Sequence, residues 1–182
     1  MNNKPPELAT HRLRLRALTA ADSAAVRAVF AAPEMNRFFR DDLSDPGRAR
    51  AMIARRLAFD GPVGQGHWVI ELAGAVAGVV HLRPSDELPG GVVELGYSVA
   101  VEHAGQGIAS EAARAVVGHG LGTLGLPAVW ALVHEDNAAS LAVAGRLGFL
   151  NVGGGVHYGA PHRVLVALPT PHGPDLSRTE RV

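Results

Sequence analysis

The stretch "ELGYSVAVEHAGQGIASEAARAVV", residues 94 to 117, constrains this chain more than any other. An alternating strand runs through Gly105-Gln106-Gly107 directly into a helix. One strand face carries Val93, Leu95, Tyr97, Val99 and Val101; the other carries Glu94, Gly96, Ser98 and Ala100, small residues with one carboxylate. From Ile108, apolar residues recur at Ala112 and Val116, with Ala109, Ala113 and Val117 alongside, so the helix lays one face on a sheet. The first four N–H groups of a helix have no intrahelical acceptor and sit at the positive end of its dipole. Glycines at 105 and 107 leave space for a ligand to approach them, so N–H groups from Gln106 to Ser110 could wrap a pyrophosphate. A tight turn that uses glycine only for positive φ reads equally well.

Competing phosphate sites fit less well. "GQGIAS" follows a strand as a dinucleotide fingerprint would, with Glu135 and Asp136 after the next strand, but Ser110 replaces the third glycine and too little chain follows Asp136 to complete a doubly wound sheet. A Walker loop is excluded because no Gly-Lys-Ser/Thr follows the bend. The chain has no cysteine, so thiolate nucleophiles, disulfides and zinc–thiolate sites are absent. Nine histidines include no H-E-x-x-H pair, and no metal is expected. The 17 basic and 17 acidic residues cancel, against a nucleic-acid partner, and no run suits a membrane span or a leader, so a cytoplasmic protein is expected.

Around this unit the pattern is one domain over residues 11–168, between a flexible N-terminus (1–10) and a polar tail (169–182). "HRLRLRAL" alternates as a half-buried strand, so the sheet is expected to begin near residue 11. Thr19 and Asp22 mark a capped helix over 20–31 closed by Pro33, and Asp45-Pro46 opens another over 46–58 with Met52, Ile53 and Leu57 on one stripe. "HWVIELAGAVAGVVHLR" predicts a hairpin hinged at Ala73-Gly74, and a third strand follows over 92–101. The helix from Ile108 is expected to fray among Gly118, Gly120 and Gly122. "PAVWALV" is a strand, "NAASLAVAGRLG" a helix ending at Gly148, and "RVLVAL" a last strand after a turn at "VGGG".

With "THRLRLRALTAAD", "PEMNRFF", "ELGYSVAVEHAGQGIASEA" and "NAASLAVAGRLGF" in order, the chain resembles GNAT-superfamily N-acetyltransferases over residues 10 to 168, in particular the branch that acetylates ribosomal-protein N-termini. The resemblance implies an α/β fold: a mixed, mostly antiparallel sheet of six to seven strands flanked by helices and splayed where acetyl-CoA enters. It implies pantetheine amides against the backbone of Val99 and Val101, and pyrophosphate on Gly105, Gln106, Gly107, Ile108, Ala109 and Ser110. Asn137 and Ser140 would lie near the thioester, Ser140 serving the leaving thiolate. Ala104 stands where the family usually has Arg or Gln, and Arg146 or Arg114 could restore that charge. A homodimer is the assembly the resemblance suggests.

The reaction implied is direct attack of an amine, on a protein or a small molecule, upon the thioester. At pH 7 a lysine of pKa about 10.4 needs roughly 4.6 kcal/mol to lose its proton, and an α-amine of about 7.7 only about 1 kcal/mol. Glu94 is the expected base, with Tyr97 or His134 assisting; the plainer reading of Glu94 is a surface carboxylate paired with an arginine. Arg37, Arg40 and the arginines of "GRARAMIARRLAF" suit an acidic acceptor, a succinyl donor, or simply a solvated helix face. A non-catalytic acyl-CoA-binding protein is the alternative from another class.

Overall fold

A computed structural model describes residues 4–169. Its sheet has eight strands: β1 (Leu8–Ala9), β2 (Leu13–Ala17), β3 (Gly66–Leu72), β4 (Ala75–Pro84), β5 (Val93–Val99), β6 (Val129–His134), β7 (Leu150–His157) and β8 (Ala160–Ala167), in the order β1-β2-β3-β4-β5-β6-β8-β7. All neighbours are antiparallel except β5 and β6. The helices are α1 (Ser23–Val29), α2 (Pro33–Asn36), α3 (Pro46–Leu57), α4 (Ile108–Gly118) and α5 (Ala138–Arg146). The α/β class and the mostly antiparallel sheet hold; the strand count is eight, above the six to seven expected.

Two cores lie on opposite faces of the sheet. On one, α4 and α5 pack Ile108, Ala112, Val116 and Ala144 against Trp68, Ile70, Val80, Leu82 and Leu95. On the other, α1 and α3 pack Val26, Val29, Met52 and Ile53 against Val69 and Val79. Alternation along β5 therefore divides as read, with Leu95 and Tyr97 toward α4 and Glu94, Gly96 and Ser98 in the other direction. Val101 departs from that reading: it is 41% exposed, in a short 3₁₀ turn beyond the strand.

Several boundaries differ from expectation for identifiable reasons. The sheet starts before residue 11, because Leu8 and Ala9 pair with Leu15 and Arg14 and the Pro6 carbonyl accepts from Trp68 Nε1 at 2.6 Å. Pro33 does not merely close a helix; it opens α2, at a position where a missing N–H is not needed. The helix from Ile108 does not fray at its glycines; it widens into a π turn over His119–Thr123, held by Leu124 N–H on the His119 carbonyl at 2.9 Å. "VGGG" is no turn. It lies inside β7, where the register shifts between Asn151 and Gly153, and a Cβ on Gly154 would stand 3.0 Å from the His162 carbonyl oxygen. The turn falls instead at Tyr158-Gly159, both with positive φ. The Ala73-Gly74 hinge is found as read, again with positive φ at both residues. The polar tail over 169–182 lies, apart from Pro169, outside the described residues.

Candidate functional site

β5 and β6 run parallel with a single Cα pairing, Glu94 with Trp130. Beyond that point they diverge, so Glu94 sits at the vertex of an opening whose far end is the glycine bend. Glu94 is 4% exposed, and among the described residues its carboxylate forms no ion pair with an arginine. It accepts from the Ser85 hydroxyl at 2.5 Å and from the Tyr158 hydroxyl at 3.1 Å to each oxygen. Burial raises the Glu94 pKa above the ordinary carboxylate value, opposed by Ser85, the charge of Arg83 and Tyr158. Tyr158 is pushed up in turn, by burial and then by the Glu94 charge. A buried carboxylate of raised pKa beside an open cleft can take a proton at neutral pH. Neither hydroxyl was found from the sequence; Ser85 lies in the "PSDELPGG" loop and Tyr158 at a hairpin turn, both placed by long-range pairing.

At the bend, Gly105 and Gly107 have φ of 73° and 78°, and a Cβ on Gly105 would meet no protein atom within 4 Å. Glycine is thus required by conformation, and the space before the first turn of α4 is open; the two readings of the bend coexist. An unforeseen residue braces it. Arg12 donates to the Gln106 carbonyl at 3.0 Å while its Nε and backbone N–H bind Glu111 at 2.7 and 2.9 Å. Thr10 adds a hydroxyl to Glu111 at 2.6 Å. Glu111, in the first turn of α4, thereby anchors a guanidinium against the loop that has Ala104 in place of a charged side chain. Arg114 and Arg146, the sequence candidates for that charge, are exposed on α4 and at the C-terminal end of α5.

Asn137 caps α5 by accepting the Ser140 N–H at 3.1 Å. Tyr97 reaches across from β5 and donates to the Ser140 carbonyl at 3.3 Å; burial raises its pKa. Tyr97 therefore holds α5 to the strand that bears Glu94, and among the described residues the Ser140 hydroxyl makes no hydrogen bond. His134, at the end of β6, accepts the Asp136 N–H on Nδ1 at 3.1 Å and packs on Phe38 of "PEMNRFF", with ring centroids 5.0 Å apart. The segment after α2 thus walls the Glu94 side of the sheet. Among the described residues, no three His, Cys, Asp or Glu side chains gather as a metal site would require, and no helix is long and apolar enough to cross a membrane.

The family described as acetyltransferase (GNAT) domain matches residues 12–150. The chain belongs to the GNAT acetyltransferases. An uncharacterized N-acetyltransferase of Bacillus subtilis (strain 168), YoaA, is 31% identical over 160 residues, covering 81% of this chain and 85% of its own. Among solved structures, a GNAT-family acetyltransferase from Bacillus anthracis superposes with a TM-score of 0.76 at 16% identity, over 90% of this chain and 99% of that one. Mycobacterium smegmatis RimJ, solved in complex with CoA-disulfide, gives a TM-score of 0.69 at 21% identity, over 91% and 88%. GNAT membership makes this chain an acetyltransferase; the superpositions establish the fold.

Proposed function

We propose that this GNAT protein moves an acetyl group from acetyl-CoA to a primary amine by direct attack, in the manner of the N-terminal acetylating branch. The observation that carries the reading is Glu94, a buried, hydroxyl-bound carboxylate at the vertex of the β5–β6 opening. Glu94 takes the ammonium proton, directly or through a water. The amine nitrogen then bonds to the thioester carbon, the C–S bond breaks with its electron pair leaving on sulfur, and the second proton of the nitrogen passes to the departing thiolate or to water. A thiol pKa of about 8.5 makes that thiolate a tolerable leaving group, with the free Ser140 hydroxyl available to donate to it. Asn137 sets the α5 turn that presents Ser140, and Tyr97 holds the turn against β5. The backbone of Val99 and Val101 suits pantetheine amides, and N–H groups of the bend through Ser110 suit the pyrophosphate, with Arg146 adding charge at longer range.

Calorimetric titration with acetyl-CoA tests the reading first. A micromolar Kd, about −8 kcal/mol, followed by amine-dependent release of free thiol is expected. Binding without turnover across an amine panel would make the protein an acyl-CoA binder, and no binding would remove the site altogether.

Arg12 gives a second expected result. Arg12→Ala should raise KM for acetyl-CoA about tenfold, the scale of one charge-assisted hydrogen bond, and leave KM for S-acetylpantetheine unchanged because that donor lacks the pyrophosphate. Equal losses with both donors would reduce Arg12 to a general brace of α4.

A further inference from the structure

Glu94 shares its sheet face with a group of polar side chains that the acetyl transfer does not use. Arg83 stands opposite Glu94 in the β4–β5 register, and His67, His81 and Gly96 form the next transverse row across β3, β4 and β5. Gly96 has a specific role there, since a Cβ would run into the His81 ring. The space left by the small β5 face is thus filled by an imidazole. His67 and His81 lie 5.3 Å apart, and His67 is only 8% exposed. His67 Nδ1, His81 Nε2 and Gln65 Oε1 are all buried with no hydrogen-bond partner among the described residues. Burial, aided by nearby arginine charges, keeps both imidazoles neutral, His67 down to about 3.

Over this row the last turn of α3 lowers Arg56, its guanidinium 5.4 Å from the Phe30 ring centroid. Arg48, Arg50 and Arg55 of the same helix are exposed, as a solvated basic face would be; Arg56 is tucked in. Among the described residues no carboxylate pairs with Arg56, and burial together with the charges of Arg83 and Arg55 lowers its pKa to about 10. Arg83 itself is engaged by Asp86 at 2.7 Å. A cavity of about 200 Å³ opens here, lined by Arg56, His67, Phe59, Gly66, Lys4 and the exposed Asp60, so two cationic side chains face one carboxylate and the lining stays net positive. A half-buried, unpaired cation beside imidazoles with unused polar atoms is costly until an anion completes it.

We propose, building on the acetyltransferase reading, that the amine acceptor carries a carboxylate, received by Arg56 and His67 while the amine lies at Glu94. A guanidinium matches a carboxylate in shape and charge, and an imidazole N–H supplies a further donor. The geometry favours the acceptor over the donor as the carboxylate's source. His67 lies two strands from β5, about 10 Å at the usual strand spacing. The carboxylate carbon of a succinyl group is three C–C bonds from the thioester carbon, under about 5 Å, and falls short.

A molecular ruler tests this: ω-amino acids of five to eight carbons against their carboxamides, with acetyl-CoA as donor. The wild type should favour the carboxylates by about 10- to 100-fold in kcat/KM, as expected of a charge-assisted pair, most strongly at the longer spacings. Arg56→Met should abolish the preference while carboxamide turnover and acetyl-CoA affinity persist, and Arg56→Lys should restore part of it. Loss of succinyl-CoA use in Arg56→Met with no change in acceptor preference would assign the carboxylate to the donor and overturn the proposal. Calorimetry with hexanoate and hexanamide reads the pocket without turnover. Hexanoate binding that Arg56→Met removes supports carboxylate recognition even if no amine is acetylated, whereas equal behaviour of the two compounds overturns it.

Discussion

Glu94→Gln is expected to lower kcat by about 10²- to 10⁴-fold, the usual contribution of a positioned general base, and to leave the Kd for acetyl-CoA unchanged. Glutamine keeps the shape and the acceptor oxygen that Ser85 uses at 2.5 Å, so little structural loss should accompany the loss of basicity. Stopped-assay turnover and calorimetry on the same preparation separate the two effects. The pH profile gives an independent check. As the proposed base Glu94 must be deprotonated to act, and burial raises its pKa, so the acidic limb of kcat should lie above the ordinary carboxylate value of 4.5. Ser85 and Tyr158 both hold that pKa down, so Ser85→Ala and Tyr158→Phe should each move the limb further up. The same shift acts on folding. The folded state binds this proton more tightly than the unfolded chain, so stability is lost as pH rises from 4.5 through the folded pKa. A Glu94→Gln enzyme within twofold of wild type would return Glu94 to a structural role.

The vertex itself was only half legible. Alternation placed Glu94 opposite Leu95 and Tyr97, and the glycine pair marked the start of α4, because both signals are local and periodic. The groups that hold the Glu94 carboxylate come from elsewhere: Ser85 is nine residues away and Tyr158 is 64. Arg12 shows the same limit. "HRLRLRAL" marks it as an outward residue of a strand, while its partner Glu111 lies 99 residues on, joined only when β2 comes to lie beside α4. Glycine was the least reliable guide. The three glycines of "VGGG" read as a turn in sequence, yet they lie inside a strand, where Gly154 alone faces a close backbone neighbour, and the turn fell to Tyr158-Gly159, where a tyrosine adopts φ of 51°. Arg56 was one of several arginines on a helix, and only packing separates it from its solvated neighbours.

Asp22→Ala should destabilise the fold by about 3 kcal/mol, toward the low end of the loss seen when one partner leaves a buried ion pair. The sequence marks Asp22 as a helix cap for Thr19, and its carboxylate does accept the Thr19 N–H at 2.8 Å and hydroxyl at 2.7 Å. In the folded chain the same carboxylate also receives Arg16 of β2, which donates to both oxygens, at 2.9 and 2.6 Å, and whose Nε reaches Glu71 of β3 at 2.8 Å. One carboxylate, 6% exposed, thus ties the entry of α1 to two strands. Removal leaves Glu71 as the one carboxylate paired with Arg16 among the described residues, and the melting temperature should fall by roughly 6 to 12 °C for a chain of this size. The hydrogen bonds of Arg16, with those of Thr19, hold the Asp22 pKa near 2 against an ordinary 3.8. A depressed carboxylate stabilises above its unfolded pKa and loses that contribution as pH falls toward its folded one. The gap between wild type and Asp22→Ala should therefore be constant from pH 7 to about 5 and narrow by about 1 kcal/mol at pH 3, measured by urea unfolding. A gap that does not move with pH would mean that Asp22 acts by packing and capping geometry, and that the Arg16 pair adds no net stability.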